Sequence, residues 1–220
     1  MASSRFRTLA TRVKELRRLL LPAKFDPTGT YSDPERVSTR AVSFRVLIHA
    51  EIEAYLEDRV LEIIKTAKAA WENGRHVSVV TIHIIGFSGV NMDRPPETLT
   101  TTEANKLKDW HAKVVIDDRF AASATDLYRR ISKDNHGIKE KHIMAMLIPI
   151  GFDMTKCDDA FLQAMTAFGD ARGLIAHTSG VVRQAVDPRD EYNRVMGLTK
   201  ALEVIDEELN RLLATATNQP

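Results

Sequence analysis

Residues 187–213 read DPRDEYNRVMGLTKALEVIDEELNRLL, and this stretch decides the fold class. Asp187 is placed to cap a helix, Pro188 to open it, and acids fill the first turn. Val195, Leu198, Leu202, Ile205, Leu209 and Leu212 then step by three, four, three, four and three. That spacing is a narrow apolar seam of the bundle or coiled-coil type. The residues after it, ATATNQP, are expected to fray, residues 217–220 at the least.

Working outward, helical periodicity dominates. Asp33-Pro34 repeats the cap-then-proline start, and a long helix is expected from there to about Trp71. Its stripe is Phe44, Ile48, Ile52, Tyr55, Leu56, Val60, Ile63, Ile64, Ala67 and Trp71. NGR at 73–75 is a break. HVSVVTIHIIGF at 76–87 is rich in β-branched residues, which favours a strand. A lone strand in a helical chain has nothing to pair with, so the expectation is a short helix. Residues 86–102 read as a long loop. Helices are expected at 103–116, 118–133, 139–149 and about 158–176, with turns at 134–137 and 151–159 and a loop at 179–190. The architecture implied is all-α, a bundle of long helices with antiparallel neighbours. Residues 1–33 are expected as an N-terminal helix and loop, and 34–216 as the main helical domain.

Composition narrows the function classes. The apolar fraction is ordinary for a globular protein and the net charge is +1, so any basic footprint is local. Cys157 is the only cysteine, which excludes an internal disulfide framework or a cysteine-rich zinc site and fits a reducing, cytoplasmic setting. Its one basic neighbour, Lys156, does not make it a nucleophile. No apolar run approaches the roughly 20 residues of a membrane span. Neither a phosphate-cradling glycine loop nor an HExxH-like pattern occurs, and Asp117/Asp118 and Asp158/Asp159 read as helix-start acids. No metal and no cofactor are expected. Residues 1–20 place Phe6, Leu9, Val13, Leu16 and Leu20 on one face, with arginines and lysines opposite. A transit peptide or membrane-surface helix shares this pattern; the plainer reading is a first helix packed on its own domain.

The chemistry-bearing segment is 134–180. Phe161, Met165, Phe168 and Ile175 mark a stripe, and Arg172 falls on it. A charged residue on a buried stripe needs a carboxylate, such as Glu51 or Glu53, or a ligand phosphate. His177 follows five residues later, about 140° around an ideal helix. The two side chains converge only if the helix ends near Ala176 or if the pair forms across two protomers. By itself His177 also suits a helix C-cap.

The texts AFGDARGLIAHTSG (167–180), NHGIKEKH (135–142) and HAEIEAYLED (49–58) resemble the HEPN superfamily, close to its RiboL-PSP-type branch, over about residues 36–215. The spacing R-x4–6-H is weak alone: with 19 arginines and seven histidines it arises by chance about twice, and Arg129 and Arg130 also match with His136. The surrounding text carries the resemblance. It implies an all-helical two-fold homodimer and a metal-independent endoribonuclease, with Arg172 and His177 catalytic and Glu51, Glu53, Thr178 and Ser179 supporting. It also implies RNA as substrate, a toxin–antitoxin or phage-defence setting, and an antitoxin or nucleotidyltransferase as partner. Asn135, His136, Lys139, Lys141 and His142 would form a phosphate-binding rim, against the plainer reading of a solvated turn. Catalytic members usually carry a polar residue after the arginine, where this chain has Gly173. That departure keeps open a non-catalytic binding module for a partner protein or nucleotide. His49 reads as a hydrogen-bonded helix residue, and Trp110 as core with His111 exposed.

Overall fold

The computed structural model describes residues 1–87, 115–177 and 185–217. Seven α-helices occur among them: α1 (Ser4–Leu20), α2 (Pro34–Gly74), α3 (Val79–Gly86), α4 (Ile116–Arg129), α5 (Glu140–Leu147), α6 (Asp159–His177) and α7 (Pro188–Thr217). No strand occurs among the described residues. The helix expected at 103–116 lies outside them, apart from its final residues, as do Trp110 and His111.

Caps explain the boundaries. Asp33 Oδ1 accepts the Arg36 amide at 3.0 Å, and Asp187 Oδ1 accepts the amides of Arg189 and Asp190 at 2.8 and 3.1 Å. Asp158 does the same for Phe161 at 2.7 Å. The ambiguous segment 76–87 is helical because Ser78 and Thr81 form a reciprocal capping box, which satisfies two amides that a strand would leave open.

The chain divides into two compact units. The first holds Met1–Arg59, His136–Met144 and Asp153–Asn210; the second holds Val60–Asn135, Ala145–Phe152 and Arg211–Pro220. In the second, the Trp71 indole donates to Asp117 Oδ1 at 2.8 Å and packs on Phe120, while Arg75 ion-pairs the same carboxylate. Asp117 therefore ties α4 to α2 besides opening its own helix. Gly151, at φ +81°, closes a turn against Val79 and His83.

In the first unit α1 lies antiparallel to α2, since Arg5 meets Asp58, Phe6 meets Tyr55 and Arg12 meets Glu51. Phe6, Leu9, Val13 and Leu16 are buried, so α1 packs as a first helix of its own unit. The α2 stripe is buried at every position named from the sequence. Arg45 of α2 grips the buried Glu191 of α7 through both carboxylate oxygens. The seam of α7 is buried within the chain, with Val195, Leu202, Leu209 and Leu212 all at 0% exposure. It is spent on internal packing.

Asp206 is also fully buried. Its carboxylate accepts the Ser3 amide at 2.7 Å, the Ser3 hydroxyl at 2.6 Å and the Tyr55 hydroxyl at 2.9 Å, and faces Arg59 at 3.5 Å. Breaking a buried charge pair of this kind costs roughly 3–5 kcal/mol. An Asp206→Ala variant is expected to lose stability on that order in urea unfolding, with an unchanged m-value.

A candidate basic and imidazole site

Arg172, His49, Glu53, His136, Lys139 and His142 all belong to the first unit. α2 carries His49 and Glu53, the turn before α5 carries His136 and Lys139, α5 carries His142, and α6 carries Arg172.

Arg172 is not on a buried stripe. The last buried position of α6 before it is Gly169, and Arg172 and Leu174 are exposed. Arg172 continues the period of Phe161, Met165 and Phe168, yet unlike them it is exposed. No carboxylate among the described residues lies within ion-pair distance of Arg172. Glu51, expected as one possible partner, instead accepts Arg12 Nε at 3.0 Å. Glu53 feels the Arg172 charge without bonding to it.

His49 is 3% exposed and stacks on Phe168 with centroids 6.2 Å apart. Its Nδ1 lies 3.6 Å from Glu53 Oε2. Burial, followed by the nearby positive charges of Arg172 and His142, holds the imidazole down to about 4. At neutral pH the His49–Glu53 contact therefore joins a neutral ring to an acid and is not an ion pair. The Glu53 carboxyl is raised by burial and by Glu57, with Arg172 and His136 opposing.

His142 is lowered by burial and then by Lys141, Lys139 and His136. Its Nδ1 is sealed from solvent and has no hydrogen-bond partner among the described residues. A Cβ on residue 137 would sit 2.7 Å from that nitrogen, so Gly137 is what allows the ring its place. Lys139 lays its stem over Gly169 and ion-pairs Asp170. It is thus committed to α6, while Lys141 and His136 are exposed. Asn135 falls in the second unit. Thr178 and Ser179 lie outside the described residues, as does the side chain of His177.

The backbone stays helical through His177. Five helical steps therefore separate Arg172 from His177, about 140° of rotation, and the pair does not share one face of one α6. Gly173, between them, has no atom within 4 Å of where a Cβ would stand. The charges of Arg172 and His142 act on His49 although the three lie on separate stretches of the chain, a relation that spacing alone does not reveal. Cys157 is buried and its thiol is pushed up to about 11, as suits an inert core residue.

Among the described residues no group of three or more His, Cys, Asp or Glu side chains is arranged to hold a metal ion, and no helix is long and apolar enough to cross a membrane. Residues 7–211 match the RiboL-PSP-HEPN family model, and the chain belongs to that family. The match begins inside α1, earlier than the resemblance over 36–215 suggested. HEPN domains are often ribonucleases or nucleotide-binding modules. No curated protein and no solved structure matches the chain.

The depressed His49 value has a sign that can be tested. The unfolded chain takes up the proton near pH 6.5, before the folded chain does, so stability is full above that pH and falls as pH drops toward 4. NMR titration should place the His49 midpoint near 4. A His49→Gln variant should lose this part of the acid sensitivity.

Proposed function

We propose that the chain is a metal-independent endoribonuclease, working as a two-fold dimer in which Arg172 of one protomer meets His177 of the other. The observation that carries this reading is Arg172 itself. It is an exposed guanidinium without a carboxylate partner among the described residues, near enough for its charge to act on His49 and Glu53, in a RiboL-PSP-HEPN chain. The separation of about 140° along α6 favours a pair formed between two copies.

The chemistry is internal transesterification. The ribose 2′-oxygen attacks the adjacent phosphorus, His177 removes its proton, the bond from phosphorus to the 5′-oxygen breaks, and a protonated imidazole returns a proton to that oxygen. The products are a 2′,3′-cyclic phosphate and a 5′-hydroxyl. Arg172 holds the phosphate bidentately and stabilises the charge developing on its oxygens. His136 and Lys141, exposed nearby, suit a rim for flanking phosphates; Thr178 and Ser179 are further hydrogen-bond candidates. A toxin or phage-defence role, with an antitoxin or nucleotidyltransferase as partner, belongs to the same reading.

A second reading rests on Gly173. The open space beside Arg172 lacks the polar group that catalytic relatives place there, which suits a binding module for a partner protein or a nucleotide.

In EDTA, wild-type protein should cleave mixed RNA and leave 2′,3′-cyclic ends. His177→Ala and Arg172→Ala should each slow cleavage by about 10²-fold or more. Equal rates for His177→Ala and wild type would sink the ribonuclease reading; ligand binding without turnover on any RNA would support the module.

A further inference from the structure

α1 carries six cations, Arg5, Arg7, Arg12, Lys14, Arg17 and Arg18, against one acid, Glu15. Three of the six are spent on the fold. Arg5 pairs with Asp58, and Arg12 bonds Glu15 at 2.8 Å and Glu51 at 3.0 Å. Arg17 donates to the carbonyls of Leu21 and Ala23 at 3.3 Å each and lies over the rings of Phe25 and Tyr192. Arg7, Lys14 and Arg18 remain. All three are exposed, and none has a carboxylate within ion-pair distance among the described residues.

Their positions form a track. At 100° per residue they fall within about 40° of one another around the axis and extend along roughly 16 Å of helix. The apolar residues Phe6, Leu9, Val13 and Leu16 occupy the opposite side and are buried. A helix that lies in a membrane surface must sink its apolar face into the lipid. Here that face is committed to the core, so what α1 offers outward is chiefly charge, with Leu19 its one exposed large apolar side chain. The single acid is already neutralised by Arg12. With a net charge of only +1 over the whole chain, three unopposed cations in one row are a local segregation of charge. A row of separate cations, two of them arginines able to bond two oxygens at once, suits a chain of regularly repeated phosphates better than one compact anion.

We propose that the outward face of α1, through Arg7, Lys14 and Arg18, is a sequence-independent track for the sugar-phosphate backbone of RNA. The choice of RNA among polyanions rests on the ribonuclease reading. The track positions a substrate strand and takes no part in bond cleavage.

The test uses the full chain and a fluorescent oligouridine bearing 2′-O-methyl groups, which binds without being cleaved. Anisotropy is followed over a salt series. The triple variant Arg7→Ser, Lys14→Ser, Arg18→Ser should bind about tenfold more weakly, and its log K against log salt should flatten by about 2, since each phosphate contact contributes about 0.7 for a single strand. Arg7→Lys with Arg18→Lys should bind close to wild type. Circular dichroism should show all variants folded, because the three side chains are exposed.

Wild-type affinity and slope in the triple variant overturn the track, and so does undetectable binding by the wild type. Capture of the wild type by phosphatidylserine vesicles, lost in the triple variant while oligonucleotide binding persists, assigns the face to a membrane and also overturns it. Cleavage by the wild type is scored separately. A chain that cleaves RNA while the triple variant binds normally loses only the track. A chain that cleaves nothing, yet loses oligonucleotide binding in the triple variant, keeps the track without the ribonuclease.

Discussion

The buried carboxylate of Asp206 is the constraint on which the first unit depends. A charge at 0% exposure must be met by donors, and Asp206 finds them in Ser3, Tyr55 and Arg59. Those donors come from the start of α1, from α2 and from the same stretch of α2 one turn on. One acid therefore fixes where α1 and α2 stand against α7. The Arg45–Glu191 pair fixes the same two long helices again, nearer the start of each. His49 and Glu53 lie on α2 between these two clamps, so their backbone is held from both sides.

A rigid α2 sets the electrostatics of the site. His49 is buried against Phe168 and kept neutral, and Glu53 is raised, while Arg172 is exposed on α6. Burial governs the first two and exposure the third. A guanidinium that found a carboxylate inside the fold would be a structural tie, like Arg45. Arg172 has found none among the described residues, and the free charge is the physical content of the functional proposal. α1 shows the same logic, where some arginines serve as ties and the rest are left facing outward.

Much of this was legible in the sequence, and for identifiable reasons. The stripes of α2 and α7 are long and regular, so every named position proved buried. Asp33, Asp158 and Asp187 announced their helices through capping chemistry. The segment at 76–87 was decided by Ser78 and Thr81, whose spacing outweighs the β-branched content around them. Arg172 keeps the period of the buried stripe but is exposed, because periodicity tells which face of a helix points inward and not whether every position on that face is covered. The α7 seam is buried within the chain at each of its positions. The three stretches that carry His49, His142 and Arg172 stand out in the sequence, but periodicity gives no hint that the charges of Arg172 and His142 act on a buried His49, which depends on tertiary packing.

The most direct test of the account is subunit mixing. Arg172→Ala and His177→Ala proteins, each inactive alone, are allowed to exchange subunits in EDTA and then assayed on RNA. If each site takes its arginine from one protomer and its histidine from the other, half of the dimers are mixed and each keeps one intact pair, so about a quarter of the wild-type rate should return. Failure of the exchanged mixture to recover any cleavage, with wild type active in parallel, would contradict a shared site.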